Sequence, residues 1–320
     1  TNIKIGLVDD LGRTLAFTSI PARAPDGPQQ AIQRIADTCR ELARSVGARP
    51  QDIPAAGLGT PGPMCLRRGM LLDPSHFPTW HYFPIRDALG DALGLPISFL
   101  NDANAAAYGE FWVGVGRDHD SLAMFTLGTG VGGGLIAEGL LINGTNSFGS
   151  ECGHFVVDSR PDARLCVWGG GRGQLEAYAS ASAVAARARE AVEAGQTTSL
   201  REVLNKQGRL TAKDVYLAAR DGDQFASDLI DDTAFFLGIG VVGAVHAIDP
   251  GLVVLGGAMN FGGSDCPIGR RFLNRVTEEF RQRTFPNVAE GTKIVFAVLG
   301  GSAGYIGAAG FARRAFHGRA

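Results

Sequence analysis

Apolar and polar positions follow two periods along this chain, one of two residues and one near 3.6, and their alternation lays out an α/β protein. Residues 3–8 alternate as a strand, residues 9–12 read as a turn, and residues 14–18 as the returning strand. Residues 28–46 carry Ile32, Ile35, Ala36, Leu42 and Val46 at helical spacing with charges between them. A short strand over 53–58 feeds Gly59-Thr60-Pro61-Gly62-Pro63, a rigid turn whose backbone can lie close to a ligand. A loop over 73–83, rich in Pro, His and aromatics, precedes a short helix over 85–93. The apolar run 96–100 is a strand, and Asn101-Asp102 opens an alanine-rich segment with strong helix propensity.

After a polar break at 118–120 the pattern resumes. A strand over 121–127 runs into Gly128-Thr129-Gly130-Val131-Gly132-Gly133-Gly134, and residues 135–141 are a strand again. The loop with Glu151-Cys152-Gly153-His154 leads to a short strand at 155–157 and a glycine-rich excursion over 161–173. Helices are expected over 175–192, 212–221, 225–248, 268–282 and 303–316, with strands over 252–255 and 292–298. Strand, glycine turn and helix recur in both halves, which points to two related α/β lobes: 1–119 with 303–320, and 120–302. No low-complexity segment or short-period repeat interrupts them.

Composition narrows the function classes. At 320 residues there is enough chain for two packed lobes. Lysine and arginine (30) nearly balance aspartate and glutamate (32), with no basic run, which argues against a nucleic-acid partner. No uninterrupted apolar stretch reaches membrane-spanning length, and no signal pattern is seen, so a membrane partner is not expected. Five widely spaced cysteines do not form a secreted disulfide framework, so the cytoplasm is the expected compartment.

Two stretches carry candidate chemistry. Asn101 and Asp102 stand at the carboxyl end of a strand, where open α/β sheets put their ligand crevice. A carboxylate there suits the removal of a proton from a substrate hydroxyl during phosphoryl transfer; the plainer reading is that Asp102 caps the following helix. The second stretch, residues 128–133, formally matches G-x-G-x-x-G. A strand rather than a helix follows it, so the dinucleotide fingerprint fails, and no Walker A lysine lies near. What remains is a hairpin whose backbone N–H groups form an anion-binding nest, with the Thr129 hydroxyl as a further donor, or a turn that needs glycine for geometry alone. Five glycines in seven residues favour the nest, since each costs about 0.5–1 kcal/mol of conformational freedom.

Taken together, Gly59-Thr60-Pro61-Gly62-Pro63, Asn101-Asp102-Ala103-Asn104, residues 127–134, Glu151-x-Gly153-His154, Leu175-Glu176 and Asp249-Pro250 through Gly257 resemble the ROK group of sugar kinases and repressors. The resemblance implies a two-lobed actin-like ATPase (ribonuclease H-like) fold with a ligand cleft between the lobes, ATP and Mg²⁺ as cofactors, and a homodimer. It implies that Asp102 is the base, that Gly62, Asn101, Glu151, His154 and Glu176 bind the sugar, and that Thr1, Gly128, Thr129, Gly130, Gly132, Gly256 and Gly257 hold the nucleotide. A sugar is a ring of hydroxyls, each donor and acceptor, which carboxylates, an amide and an imidazole can read.

Two departures from the group's pattern stand out. Its first phosphate loop, Asp-x-Gly-Gly-Thr, is expected just ahead of the first hairpin with Thr1 as its last residue, so upstream residues are expected to be missing. Its structural zinc site uses the histidine after Glu-x-Gly and three cysteines, but here Cys166 is the one cysteine of the cluster and Gln174 stands where the last should be. His154, Cys166 and Cys152 fall short of four N/S ligands, so no zinc is expected; Cys152 and Cys166 read as small buried hydrophobes. His81, His119, His246 and His317 read as surface or satisfied core residues, while Ser75 or His76 falls in the loop where the group contacts sugar. The charges of 268–282 read as a solvated helix face. The expected activity is therefore an ATP-dependent hexokinase, glucose being the first candidate. Fructose, N-acetylglucosamine and N-acetylmannosamine are alternatives. A sugar-sensing repressor is the rival class, and it needs a helix-turn-helix domain ahead of the first hairpin.

Overall fold

The computed structural model describes residues 2–74, 79–166 and 171–318, so Thr1, Ser75, His76 and Trp168 lie outside the described residues. The chain divides into two compact units, Thr1–Asp118 with Leu141–Ser150 and Val298–Ala320, and His119–Leu140 with Glu151–Ala297.

In the first unit, Asn2–Val8 pairs antiparallel with Thr14–Pro21, and Ala56–Thr60 pairs parallel with Ile97–Asn101. The helices Pro28–Ser45 and Ile85–Leu93 cover this layer, and their apolar stripes join Ile5, Met64, Leu71 and Phe99 in one core. On the other side, Ala303–His317 packs against the helix Asp102–Trp112 at backbone contact. A Cβ at Gly307 would lie 1.7 Å from the Ala105 carbonyl oxygen, and one at Gly109 2.4 Å from that of Ala303. Small residues let two backbones touch, and the helix that begins with Asp102 is held rigidly as a result. Residues 141–150, which the sequence division places in the second lobe, cluster with the first unit, where the Leu66 N–H donates to the Ser147 hydroxyl at 2.9 Å.

The second unit is built on a five-stranded sheet in the order Lys293–Phe296, Leu252–Gly256, Leu122–Leu127, Val131–Ala137, Leu140–Leu141. The first three are parallel, and the glycine stretch makes the antiparallel hairpin between Leu122–Leu127 and Val131–Ala137. Leu252–Gly256 is buried at every position, as a central parallel strand must be.

Three local expectations change. The strand expected over 135–141 is interrupted at Glu138 (φ 49°) and Gly139 (φ 73°), which turn the chain. The helix expected over 175–192 is two, Glu176–Ala179 and Ala181–Glu193; Ser180 stands extended between them, its hydroxyl accepting the Ala183 N–H at 3.1 Å. Serine caps better than it continues a helix, and here it does so. The strand expected at 155–157 reduces to a single bridge between Val156 and Gln174. One further correction concerns length: Gln224–Ile248 is long and apolar enough, by length and composition, to cross a membrane. In the fold it is mostly buried, packed on Pro267–Gln282, and its polar edge pairs Asp231 with Arg271 and Asp232 with Arg187. It is the core helix of its unit.

Candidate active site

Asn101, not Asp102, is the cap. Its backbone is extended (φ −67°, ψ 149°) and its Oδ1 accepts the N–H groups of Ala103 at 2.8 Å and Asn104 at 3.4 Å. Asp102 is the first helical residue, and its Oδ1 shares the Ala103 N–H at 2.8 Å. Asn101 is thus the N-cap, and Asp102 shares one of the first-turn N–H groups with it through Oδ1. Its side chain keeps solvent access, while the protein around it desolvates the carboxyl and raises its pKa, against the lowering effect of the Ala103 and Asp102 N–H groups. Neighbouring protein atoms can desolvate a carboxyl in part while leaving it reachable from solvent. A raised pKa makes the ionised form a stronger base.

The same corner holds further polar groups. Thr60 pairs with Asn101 across the two parallel strands, and a Cβ added at Gly62 would sit 4.0 Å from Asn101 Nδ2. Among the described residues, Thr60 Oγ1 and Asn104 Oδ1 are buried without a protein hydrogen-bond partner. Asn104 Nδ2 donates to Asn143 Oδ1 at 3.5 Å.

In the second unit, three of the sequence motifs converge on one residue, Val131. Its N–H donates to Glu176 Oε2 at 2.9 Å. Its carbonyl oxygen lies where a Cβ on Gly153 would come within 2.0 Å, so only glycine lets the Glu151-Cys152-Gly153-His154 turn approach the hairpin this closely. That turn is the 3₁₀ segment Cys152–His154, preceded by Glu151; Glu151 Oε2 and His154 Nδ1 are 3.9 Å apart, and both side chains are partly exposed. Glu176 is buried, and its other oxygen receives the Cys166 thiol at 3.4 Å.

These contacts revise the reading of the glycine hairpin. The Val131 N–H is committed to Glu176, and the Gly128 N–H to the Gly130 carbonyl at 3.0 Å. Neither is available as part of an anion nest. A Cβ at Gly130 would lie 2.3 Å from Glu176 Oε2, one at Gly256 2.4 Å from Met124 Cε and one at Gly257 2.2 Å from the Leu127 carbonyl oxygen. These three glycines serve the packing of the protein on itself. Gly132 pairs with Thr126 in the ladder. A Cβ at Gly128, by contrast, would face open space, next to the exposed tip at Thr129. Gly128 and Gly257 do share one place: they follow the adjacent parallel strands Leu122–Leu127 and Leu252–Gly256, at the strand ends where such sheets bind ligands.

The cysteine region is held by polar contacts. The excursion is fixed by Asp158, whose carboxylate accepts from Arg160 and from the Tyr178 hydroxyl at 2.6 Å, and by Arg164, which forms a bidentate pair with Glu190 at 2.7 and 2.9 Å. Arg160 and then Tyr178 hold the Asp158 carboxyl well below the usual carboxylate range. Burial, with the Glu151 charge second, pushes the Cys152 thiol up to about 12, so it is a protonated, unreactive thiol near neutral pH. Among the described residues, no group of three or more His, Cys, Asp or Glu side chains could hold a metal ion.

Three buried acids among the described residues escaped the sequence reading: Asp158, Glu110, and Glu279, which lies in the helix Pro267–Gln282 whose charges were expected to face solvent but is buried and paired with Arg275 and, at 3.0 Å, with Arg283. Glu110, in the helix Asp102–Trp112, is fully buried and accepts three backbone N–H groups. A carboxylate near the C-terminal end of a helix opposes the helix dipole, and that mismatch is the signal the sequence carried.

The sequence profile of the ROK family matches residues 1–315. The chain is similar to a glucokinase of Halalkalibacterium halodurans, 33% identical over 96% of this chain and 90% of that protein. It resembles the solved structure of a ROK hexokinase from Thermus thermophilus, with a TM-score of 0.84 and 31% identity over 99% of this chain and 96% of the other. A ROK glucokinase from Streptomyces griseus, solved with glucose and AMPPNP, has a TM-score of 0.73 and 29% identity over 98% of this chain and 96% of its own.

Proposed function

The chain belongs to the ROK family, and from that premise we propose that it is an ATP-dependent hexokinase that converts glucose to glucose 6-phosphate. The observation that carries the reading is Asp102: a carboxylate at the end of a parallel strand, beside the N-cap Asn101, solvent-accessible and with a raised pKa. As the sugar hydroxyl oxygen bonds to the γ-phosphorus and the bond to ADP breaks, Asp102 takes the hydroxyl proton. Asn101, through its Nδ2, the backbone at Gly62, and Glu151 and His154 orient the remaining hydroxyls; orientation is the main service an enzyme gives to phosphoryl transfer. The buried and unpaired Thr60 Oγ1 and Asn104 Oδ1 beside Asn101 support a polyhydroxylated ligand there.

The donor side fits a nucleotide at the ends of the strands followed by Gly128 and Gly257, with Thr129 as a hydroxyl donor. When bound with ATP, Mg²⁺ would supply charge neutralisation at the transferring phosphoryl group, and such an ion needs no cage of protein ligands. Glu176 enters as the residue that fixes the hairpin through Val131, with its sugar contact as a second role. We place the activity in the cytoplasm and in a homodimer. A coupled assay of ADP release from ATP over a panel of hexoses tests the reading. Turnover with glucose at least comparable to that with fructose, mannose and the N-acetylhexosamines supports it; the absence of turnover with every hexose overturns it.

A further inference from the structure

Glu110 lies two turns beyond Asp102 on the helix Asp102–Trp112 and has no part in the chemistry above. Its side chain is fully buried. Oε1 accepts the N–H groups of Val298 at 2.9 Å and Leu299 at 2.7 Å, and Oε2 that of Val115 at 3.2 Å. Its carbonyl accepts two more, from Gly114 at 3.1 Å and Gly116 at 2.8 Å. The chain leaves the first unit after Asp118 and returns to it at Val298. One residue therefore holds the stretch before the departure and the stretch after the return. Val298 and Leu299 lead through the turn Gly300–Ser302 into Ala303–His317, the helix in backbone contact with the Asp102 helix.

We propose that Glu110 is a positioning residue for phosphoryl transfer, pinning the chain on either side of the second unit to the helix that begins with Asp102. The pin makes that helix, the departure at residues 113–116 and the return at 298–299 one rigid piece. A small displacement of a reacting group costs far more in rate than in binding, so the loss belongs in kcat. A carboxylate is needed because it is acceptor-only on both oxygens. In a glutamine, one oxygen serves Val298 and Leu299 while the NH₂ group faces the Val115 N–H, donor against donor. The role rests on the hexokinase reading above, since the group being positioned is Asp102.

Two variants approach the pin from opposite sides. Glu110→Gln changes the acceptor. Gly114→Ala leaves it intact but sets a Cβ 2.1 Å from Oε2, forcing the Val115 arm apart. The measurements are kcat, the equilibrium dissociation constant for glucose without ATP, and hydrogen exchange of the Val115, Val298 and Leu299 amides, all well below the melting temperature. In the wild-type protein these amides exchange with the slow core. In both variants, kcat falls by about tenfold or more while glucose affinity stays within about threefold, and the Val115 amide exchanges about tenfold faster or more. A merely structural Glu110 lowers the melting temperature and leaves kcat per folded molecule unchanged. The proposal is overturned if kcat of the folded variants stays within about twofold of wild type, or if the three wild-type amides exchange like exposed ones. Gly114→Ala decides the rate should Glu110→Gln not fold, and the wild-type amides decide the pin should neither fold. Wild-type turnover with glucose tests the hexokinase reading separately.

Discussion

Asp102→Asn separates catalysis from stability, and the two are expected to move in opposite directions. The asparagine keeps an Oδ1 that can accept the Ala103 N–H, and Asn101 still caps the helix through bonds of 2.8 and 3.4 Å. The loss of about 1 kcal/mol that follows removal of a cap is therefore not incurred. What disappears is a carboxylate whose pKa is raised by desolvation. An acid whose folded pKa exceeds its unfolded one folds better when protonated. Its ionised form is a burden at neutral pH, and the burden vanishes as pH falls below the unfolded value of about 3.9. The variant is thus expected to melt at or above the wild-type temperature at pH 7, with the difference closing toward pH 3. Removal of a general base costs on the order of 10²–10⁴ in rate, equivalent to about 3–5 kcal/mol of barrier. The acid limb of the wild-type kcat/KM profile should lie above the ordinary aspartate range. The assays are coupled ADP release across pH 4–9 and calorimetric melts over the same series. Near-normal turnover refutes the base assignment; a lower melting temperature at pH 7 refutes the argument from desolvation.

Other expectations follow from neighbouring features. His154→Ala should raise the sugar KM by about tenfold or more, roughly 1.4 kcal/mol, while the ATP KM and the melting curve hold, because the imidazole is partly exposed; an unchanged sugar KM with a large drop in melting temperature would make it structural. Elemental analysis of dialysed protein should find no stoichiometric zinc, the Cys166 thiol being directed to Glu176; one zinc per chain would refute this. Asp158 is held below its ordinary pKa by Arg160 and Tyr178, so its stabilisation is present above the unfolded carboxylate pKa and is lost as pH falls through the folded one. Asp158→Asn should destabilise the protein at pH 7 and less so in acid, as read from melts at pH 7 and pH 3, and an equal loss at both would show that packing rather than charge is at stake.

Much of this was legible before any coordinates. The run 96–100 followed by Asn101-Asp102 declares a strand end and a helix start by period and cap chemistry alone, and the structure has both. Which of the two residues caps was not legible, since either side chain can reach the N–H groups and only the backbone angle at Asn101 decides. Which glycines of 128–134 pack against the protein itself was not legible for a related reason. Bare backbone serves a ligand or a neighbour equally well, and Glu176, the neighbour of Gly130, lies far off in sequence. Ser180 was missed because the apolar period runs through it undisturbed. Glu110 was missed because a charge in a helical pattern reads as solvent-facing until the fold surrounds it.

The crowding at Val131 bears on how such a protein can change. Its N–H belongs to Glu176 and its carbonyl leaves Gly153 no room for a side chain. The turn bearing Glu151 and His154 and the hairpin bearing Gly128 and Thr129 thus meet at a single residue. On the roles proposed above, with the turn reading the sugar and the hairpin the donor, substitutions at the turn will be felt in the hairpin, and a change of hexose calls for re-tuned donor handling. Specificity changes here should come as sets of linked substitutions, and single replacements at the turn should look worse than the combinations that contain them.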